Sequence, residues 1–327
     1  MKKIILVILI FRILLANDQF NELSSKAGSF SRMGFGAYGM SLGNASSSLT
    51  NGYGEVYYNP ALSAYSINNK LSFSYSALSL DRKLNFLSFT KVFDKPSNLK
   101  KKFKLKTAFS VGIINSGVDN IEERNNDGIL TGKFSTSENI FFLNISNQFN
   151  DKFTFGLNVK YLYNKLYKDI KADGIGLDLG FLYQINDQIN LSYSIVDLNS
   201  SYKWDTSPIY REYGANYEEK FPVLSRFGLS YIYSYDNLEF LGLVNYEYSQ
   251  YTNYLKFGLE ADYNKVVKLR FGIDRLNLSS INNPVKVSFG IGIMQNLFNY
   301  TVDFNYGYII EPYSSENIHV IGLNIIL

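Results

Sequence analysis

The sequence contains no cysteine and a single histidine, His319, among its 327 residues. Disulfide bonds, cysteine zinc sites and thiol nucleophiles are therefore excluded. One histidine cannot form a histidine metal cluster, and its position near the end of the chain argues against a Ser-His-Asp triad. Since no other acid/base constellation stands out from the scattered charges, we predict no enzymatic activity, no cofactor and no metal.

The chain also lacks an excess of charge of either sign. Lys and Arg number 32 and Asp and Glu 29, which gives a formal net charge of +3. Loss of Lys2, Lys3 and Arg12 with an export signal would leave 29 charges of each sign. A general nucleic-acid binder carries a basic stripe, so this balance predicts that nucleic acid is not a partner.

Long hydrophobic runs are missing as well. The one sustained apolar stretch covers residues 4–15 and is interrupted by Arg12. A transmembrane helix needs about 20 residues, so this stretch is too short to span a bilayer. Two lysines before it and Ala16 after it are typical of a secretory signal peptide, which we place at residues 1–16.

Aromatic side chains, in contrast, are abundant, with 27 Tyr and 25 Phe at a mean hydropathy of only −0.10. Soluble domains of this size rarely carry so many, whereas a membrane β-barrel needs aromatic girdles at both interfaces. An AT-rich genome also raises the content of Tyr and Phe, but it does not control where they fall. The positions of Tyr and Phe along the chain are therefore stronger evidence for a barrel than their number.

From about Lys70 to Leu327, nearly every ten-residue window alternates apolar and polar residues, with Asn, Asp or Gly between the windows. Segments of about 9 to 11 residues have the length that a tilted strand needs to cross a bilayer. The pattern predicts fourteen strands, near residues 70–79, 83–93, 104–115, 137–149, 152–165, 173–184, 188–198, 223–233, 238–248, 253–263, 267–277, 285–295, 299–309 and 318–327.

The connections between these strands alternate in length. Short turns such as Asn150-Asp151 and Asp236-Asn237 alternate with longer loops, notably 116–136 and 199–222. Outer-membrane barrels have this layout, with the short turns in the periplasm. We therefore predict an all-β fold, a 14-stranded antiparallel transmembrane β-barrel over residues 70–327, surrounded by the lipids of the bacterial outer membrane. A soluble β-sandwich, whose polar face would meet water, is the alternative.

The hairpin over residues 253–277 predicts a register for the inner wall. If its apolar positions face lipid, its charged residues lie opposite one another with opposite signs, an arrangement that stabilises neighbouring strands. We call these pairs the luminal charge ladder: Lys256 with Asp274, Glu260 with Arg270, and Asp262 with Lys268. Such charges could select ions in a pore, but balanced pairs leave no net field, which favours a structural role.

The final segment, HVIGLNIIL, alternates and directs His319 and Leu327 toward the lipid side. A barrel must close its last strand on its first, because an open edge in lipid leaves backbone groups unpaired. A terminal amphipathic strand resembles the signal that the outer-membrane assembly machinery recognises, although such signals more often end in Phe. We expect this machinery to be a partner.

Residues 17–69, between the signal and the first strand, do not alternate. Their glycines permit close backbone approaches and positive φ, and Pro60 restricts Asn59 to an extended conformation. Irregular backbone at membrane depth is tolerated only inside protein or a wet cavity, so we predict a plug in the lumen or at its periplasmic mouth. Its motif residues are Gly34, Gly36, Gly39, Asn59, Pro60 and Ala61. The alternative is a flexible exported N-terminus, but it would leave several aromatic side chains in water.

Two stretches of this region, GFGAYGM from Gly34 to Met40 and YYNPAL from Tyr57 to Leu62, resemble the PorV/PorQ branch of the FadL/TodX-like outer-membrane barrels. That group opens with a Gly-rich run and a "Y-x-N-P-A-x-L" element, which is one residue tighter here. The stretch from Ile121 to Phe141 is similar to the "E-R…G…G-x-F" loop of the same branch. The resemblance implies a barrel of fourteen strands.

The resemblance also implies two kinds of function. A PorV-like protein would be an accessory of type IX secretion, with a secretion translocon and secreted proteins as partners. A PorQ-like or FadL-like protein would carry surface cargo or admit hydrophobic small molecules. We favour a PorV/PorQ-like barrel for secretion or surface attachment, because the first long loop resembles that branch. A FadL-type transporter is the alternative, and a structural barrel without traffic is a third possibility.

The long loop 199–222 is the candidate partner surface, because aromatic residues with Arg dominate binding hot spots. A lid packed over its own barrel explains the same composition equally well. The residues concerned are Tyr202, Trp204, Tyr210, Arg211, Tyr213 and Tyr217.

Overall fold

The computed structural model describes residues 22–51, 53–95, 105–277, 284–298 and 300–327. The expected signal peptide, residues 1–16, lies outside the described residues, and so do residues 17–21 of the predicted plug.

The described part of the chain is mostly β-strand, with short helical turns before the first strand and in one loop. Its helices are α1 (Ala37–Ser41), α2 (Ser207–Tyr210) and the 3₁₀ turns Glu22–Ser25, Ser29–Arg32, Ser46–Ser48, Pro60–Tyr65 and Arg211–Tyr213. The helices in the described part of the chain are too short or too polar to span a bilayer. The strands are β1 (Lys70–Ala77), β2 (Arg82–Lys95), β3 (Leu105–Arg124), β4 (Leu130–Gln148), β5 (Phe153–Tyr167), β6 (Ile170–Gln184), β7 (Ile189–Leu198), β8 (Ser201–Asp205), β9 (Asn216–Lys220), β10 (Leu224–Tyr235), β11 (Leu238–Tyr248), β12 (Asn253–Tyr263), β13 (Val267–Leu276), β14 (Lys286–Leu297), β15 (Tyr300–Ile309) and β16 (Ile318–Ile326).

Fourteen of the described strands, β1 to β7 and β10 to β16, form one closed antiparallel wall. The wall closes between β1 and β16, from Lys70 opposite Ile326 to Ala77 opposite His319. Every wall strand therefore has two neighbours. Lipid demands this, because each unpaired backbone group there would cost several kcal/mol. The predicted fourteen-stranded barrel is confirmed.

Strand β1 illustrates how the alternating sequence divides between lumen and lipid. Its side chains alternate strictly between buried and exposed. Ser72 and Ser74 are buried toward the lumen, whereas Phe73 and Tyr75 are exposed on the outer surface. The same alternation on the other wall strands gives an outer surface of Tyr, Phe, Leu and Ile, as a lipid-facing band requires.

Strands β3 and β4 extend farther than the predicted strands, which ended near residue 115 and began near residue 137. The observed β3 continues to Arg124 and β4 begins at Leu130. A register shift interrupts the pair between Val118 and Ile121, and Asn120 between them has a φ of 57°. Both faces of this extension meet water, so no apolar alternation marks it in the sequence.

The predicted loop over residues 199–222 contains a hairpin of two short strands, β8 and β9. Strand β7 ends at Leu198, and beyond that point β8 lies beside β6, with Trp204 opposite Ala172. The segment 201–220, which we call the external hairpin, therefore extends the sheet on the side of the long loops. A pattern search for strands of membrane length misses it, because each of its strands has only five residues.

The luminal charge ladder lies on β12 and β13. Glu260 is directly opposite Arg270 and Asp262 directly opposite Lys268. The Glu260 Oε2–Arg270 Nε distance is 2.6 Å and the Asp262 Oδ2–Lys268 Nζ distance is 3.8 Å. All four side chains are buried, so breaking one pair leaves a charge without water.

The third pair of the ladder departs from simple opposition. The β12–β13 register shifts between Leu255 and Phe257, so Lys256 lies opposite a bulge formed by Asp274 and Arg275 of β13. Its Nζ is 3.5 Å from Asp274 on β13 and 3.1 Å from Glu247 on β11. The ladder consequently joins three strands at this level.

We predict that Arg270→Glu lowers the free energy of unfolding by about 3–5 kcal/mol, because it places two carboxylates together in a buried site. The exchange Glu260→Arg with Arg270→Glu should recover a large part of this loss, since an opposite pair forms again. Urea titration measures the free energy of unfolding of both variants, with the folded fraction read from the heat-modifiable electrophoretic mobility. Additive effects of the two single changes in this double-mutant cycle would contradict the register.

Candidate functional site in the barrel lumen

Residues 23–51 and 53–66 pack inside the barrel, and we call them the luminal segment. Helix α1 packs against β14, β15 and β16, and the turn Pro60–Tyr65 packs against β3 to β6. Leu42, Leu49 and Leu62 of this segment are among the most deeply buried side chains of the described chain. The segment thus brings apolar side chains into a lumen whose wall is largely polar. That it blocks passage, as the term plug implies, stays a prediction.

Two opposed glycines on the inner wall receive the luminal segment. Gly156 on β5 lies directly opposite Gly180 on β6. A Cβ atom at Gly156 would lie 2.2 Å from the carbonyl carbon of Pro60, and one at Gly180 would lie 2.1 Å from Asn59 Oδ1. Glycine at both positions therefore lets the Asn59-Pro60 backbone approach the wall closely.

Asn59 joins this turn to the wall. Its Oδ1 accepts a hydrogen bond from the backbone N–H of Ala61 (2.9 Å) and so caps the turn that begins at Pro60. Its Nδ2 donates to the backbone carbonyls of Phe181 on β6 (3.2 Å) and Ser47 in the segment (3.0 Å). The Asn-Pro-Ala motif is thus a docking element with every polar atom of the Asn59 side chain in use.

A second opposed pair, Gly258 on β12 and Gly272 on β13, receives another part of the segment. A Cβ atom at Gly272 would lie 2.0 Å from the backbone nitrogen of Gly43, and one at Gly258 would lie 2.7 Å from the carbonyl oxygen of Leu42. Opposed glycine pairs on two separate parts of the wall therefore allow the luminal segment to approach the wall closely.

The three predicted motif glycines have local roles in the segment. Gly34 and Gly36 have φ values of 99° and 78°, which side chains with a Cβ rarely adopt. Gly39 lies against the ring of Tyr58, where a Cβ atom would come within 2.3 Å of a ring carbon. The Tyr58 hydroxyl in turn donates to Asn44 Oδ1 at 2.7 Å. These glycines shape the fold of the segment.

Two stacked tyrosines hold the segment against the charge ladder. The rings of Tyr38 and Tyr53 lie 5.4 Å apart at 11°. The Arg270 guanidinium is 3.9 Å from the Tyr38 ring centre, and Lys268 Nζ is 3.5 Å from the Tyr53 ring centre. The Tyr38 hydroxyl also donates to Glu260 Oε1 at 2.8 Å. The two cations face aromatic rings of the chain itself, which favours the structural interpretation of the ladder over ion selection.

The external hairpin divides the six candidate partner residues into two groups. Tyr202 and Trp204 are buried, and Tyr202 packs edge-to-face on Phe221 with ring centres 4.9 Å apart. The other four lie at the surface, and Tyr213 among them is 92% exposed. The exposed residues are Tyr210, Arg211, Tyr213 and Tyr217. The hairpin therefore has a face that covers the lumen and a tip that meets solvent.

An apolar cluster occupies the lumen below the external hairpin. The wall, the luminal segment and the hairpin all contribute to it, and we call it the external apolar cluster. On β2 to β5, apolar side chains thus point inward, whereas the lumen of a water-filled porin is polar. Its main members are Leu84, Phe86, Ile114, Ile140, Phe142 and Leu162 of the wall, Phe35 and Val56 of the segment, and Tyr202, Trp204 and Phe221 of the hairpin region.

A narrow pocket with room for about one water molecule lies beside this cluster. One side of it is apolar and the other is polar and charged. The apolar lining residues are Val56, Ile114, Ile140, Phe142 and Val196, and the polar ones are Ser31, Tyr57, Asn158, Lys160, Asp178 and Asp197.

A buried ion cluster forms the charged side of the pocket. Lys160 Nζ lies 2.6 Å from Asp178 Oδ1 and also pairs with Asp197. Asp197 has a φ of 65° at a register shift between β6 and β7, so Val196 and Asp197 are both buried although they are adjacent. Sequence reasoning missed this cluster, since strict alternation sends one of two neighbours outward. The alternation of β5 and β6 places Lys160 and Asp178 on the inner face of the wall, and this was the signal that could have found the cluster.

Within the described residues, no group of three or more His, Asp or Glu side chains could hold a metal ion.

We predict that Gly156→Val displaces the Asn59-Pro60 turn from the wall, because the added side chain occupies the space of the Pro60 backbone. Ala61→Cys supplies the only thiol of the chain, at a position with no exposure. Its maleimide labelling rate should rise about tenfold or more in the Gly156→Val background, given a strain of roughly 1–3 kcal/mol.

The control for this experiment is Gly242→Val in the same Cys background. Gly242 is also a wall glycine, but a Cβ atom there has only one neighbour, at 3.9 Å. Its labelling rate should match that of the parent. Equal labelling of the Gly156→Val and Gly242→Val proteins would show that the Gly156–Gly180 pair does not position the turn.

No protein-family model matches the sequence, and no curated protein matches it. Among solved structures, the chain is similar to the Pseudomonas putida toluene transporter TodX, with a TM-score of 0.56 and 14% identity, over 89% of this chain and 96% of that one. It is also similar to the Ralstonia pickettii toluene transporter TbuX, with a TM-score of 0.53 and 12% identity, over 89% of this chain and 97% of that one. Likeness at this identity establishes the fold alone. The protein has the fold of these transporters, and its closed antiparallel wall with an aromatic and apolar outer face is that of a bacterial outer-membrane β-barrel.

Proposed function

We propose that the protein admits small hydrophobic molecules across the outer membrane. The observation that carries this proposal is the external apolar cluster, in which β2 to β5 turn apolar side chains inward. A channel for ions or sugars would keep this part of its lumen polar. TodX and TbuX, which share the fold, are toluene transporters. The shared fold supports the proposal but does not by itself fix a function.

The arrangement of the lumen suggests a route for such molecules. A molecule arriving from outside would first meet the buried face of the external hairpin at Tyr202 and Trp204. It would then pass the inward rings of Phe86 and Phe142, which stack with centres 6.2 Å apart. The luminal segment lies farther along the lumen, and its predicted blocking role implies that it moves during passage to the periplasm.

The route predicts that Ile114→Trp slows uptake, because a larger side chain fills the lumen beside Phe142. Ile114 is buried toward the lumen, whereas its neighbour Ile113 belongs to the outer face. Ile113→Trp therefore adds the same side chain on the lipid side and serves as the control. The initial rate of radiolabelled toluene uptake by cells that produce the barrel should fall about fivefold or more for Ile114→Trp.

Uptake should remain unchanged for Ile113→Trp. Both variants must reach the outer membrane in equal amounts, which heat-modifiable mobility reports. Equal uptake by the two variants, or uptake no faster than in cells without the barrel, would count against transport through this cluster.

A second candidate function is the PorV/PorQ-like one, an interaction barrel for protein secretion or surface attachment. The tip of the external hairpin favours it, since Tyr210, Tyr213 and Arg211 are exposed and belong to residue types that dominate hot spots. The stretch that resembles that branch, residues 121–141, lies on the β3–β4 hairpin, whose outer end also projects beyond the wall. The comparisons with solved structures favour transport over this function.

If the second function holds, the double substitution Arg211→Ala and Tyr213→Ala should reduce the recovery of secreted proteins with the purified barrel about tenfold. Loss of hot-spot side chains typically costs 2 kcal/mol or more of binding. The buried face of the hairpin stays intact in this variant. Tyr313→Ala is the control, because Tyr313 is 69% exposed in a different external loop. Unchanged recovery after the double substitution would remove the hairpin tip as a partner site.

A further inference from the structure

The pocket beside the external apolar cluster contains an unpaired hydrogen-bond acceptor. Asn158 lines this pocket and is only 3% exposed. Its Nδ2 donates to Asp178 Oδ2 at 2.9 Å. Its Oδ1 has no hydrogen-bond partner among the described residues. A buried acceptor without a partner is costly, so a bound molecule that donates a hydrogen bond there would be favoured.

The donors that line the same pocket already have acceptors within the protein. The Ser31 hydroxyl donates to a backbone carbonyl at 2.8 Å, and the Tyr57 hydroxyl donates to the Ser31 carbonyl at 2.8 Å. Lys160 lies between Asp178 and Asp197 and pairs with both. The polar side of the pocket therefore offers acceptors to a ligand more readily than donors.

The charges of the pocket disfavour an anionic ligand. The residues that line it include one cation, Lys160, and two carboxylates, Asp178 and Asp197. Arg32 of the luminal segment, a further cation, directs its guanidinium to three backbone carbonyls at 2.7 to 2.9 Å. A bound carboxylate would place a third anion around the one lysine in a buried site, where charge repulsion and desolvation are both severe.

The opposite side of the pocket suits an apolar ring or short chain. Ile114, Ile140 and Phe142 of the wall form this side, with Val196 at its edge. Burial of apolar surface against them favours binding in proportion to the area removed from water. Apolar residues thus face a hydrogen-bond acceptor across one small space.

We propose that this pocket selects neutral molecules that combine a small apolar body with one hydroxyl group, of which phenol is the simplest aromatic example. The proposal rests on the transport function proposed above and names its substrate class. A bare hydrocarbon leaves Asn158 Oδ1 unpaired, and a carboxylate meets two aspartates. Ser31 and Tyr57 belong to the luminal segment, so a ring-sized ligand enters as this segment moves away from β3 to β6.

Equilibrium dialysis of the full-length barrel in detergent tests this selectivity, with radiolabelled phenol, toluene and benzoate and with empty micelles as the blank. The Asn158→Leu protein should show a phenol-to-toluene affinity ratio about tenfold below that of the unmodified protein, equivalent to ~1.4 kcal/mol. The ratio cancels differences in micelle partitioning. Benzoate should bind the unmodified protein at least about tenfold more weakly than phenol does.

The matched control is Asn245→Leu. Asn245 is also a buried, inward-facing asparagine, on β11, but it bonds to Ser47 and does not line the pocket. Its phenol-to-toluene ratio should equal that of the unmodified protein. If Asn158→Leu does not fold, as judged by heat-modifiable mobility, the unmodified protein decides: phenol should then bind about tenfold more tightly than anisole, which lacks the donor.

The outcomes separate this inference from the proposed function. Binding of both phenol and toluene with the same ratio in the Asn158→Leu and unmodified proteins would overturn the hydroxyl selectivity and leave hydrocarbon transport standing. Asn158-dependent binding of phenol without binding of toluene would support the selectivity and narrow the transported class. Binding of none of the ligands would overturn both proposals.

Discussion

The structure depends on one constraint: in lipid, the backbone of each wall strand must find its hydrogen bonds within the protein. The antiparallel pairing of β1 with β16 satisfies it by removing the last edge. Closure at fourteen strands then sets a second problem. About eight strands already give an interior just wide enough for wall side chains to fill, so a ring of fourteen leaves space that they cannot occupy. The luminal segment packs into that space, against β3 to β6 on one side and β14 to β16 on another.

The inner wall is built to receive this segment. Small inward residues, above all the opposed pairs Gly156 with Gly180 and Gly258 with Gly272, allow backbone to meet backbone. On β12 and β13, the charged residues that hold the strands in register also support the rings of Tyr38 and Tyr53. Near the external hairpin, the inward residues of β2 to β5 are apolar, and this patch continues into the luminal segment and the hairpin. Farther from the hairpin the same strands turn polar residues such as Ser88, Asn144 and Thr154 inward. The lumen therefore has a charged, structural side at β12 and β13 and an apolar patch under the external hairpin, with the candidate pocket beside that patch.

The sequence allowed the prediction of every strand of the wall and of the oppositely charged partners of Glu260 and Asp262. Both predictions follow from the alternation of inward and outward side chains along a strand, which is strict where the outer face meets lipid. This alternation no longer predicts structure where the chain leaves the lipid or departs from regular strand pairing. The outer parts of β3 and β4 meet water on both faces, so no alternation marks them. Each strand of the external hairpin has only five residues, which is too short for a search for strands of membrane length. At the bulge beside Asp197, two adjacent residues turn inward, and the ion cluster with Lys160 and Asp178 stayed hidden for that reason.

The sequence by itself determined the class of fold, the number of wall strands and which side of each strand faces lipid, because these depend on local alternation and turn residues. It also placed the glycine-rich segment with Asn59-Pro60 in the lumen or at its mouth, because irregular backbone at membrane depth is tolerated only there. Only the tertiary structure decided where that turn docks and which side chains surround the pocket. Asn59 bonds to Phe181, 122 residues away in the chain. A contact between residues so distant leaves no local pattern, since it exists only after the ring has closed around the segment.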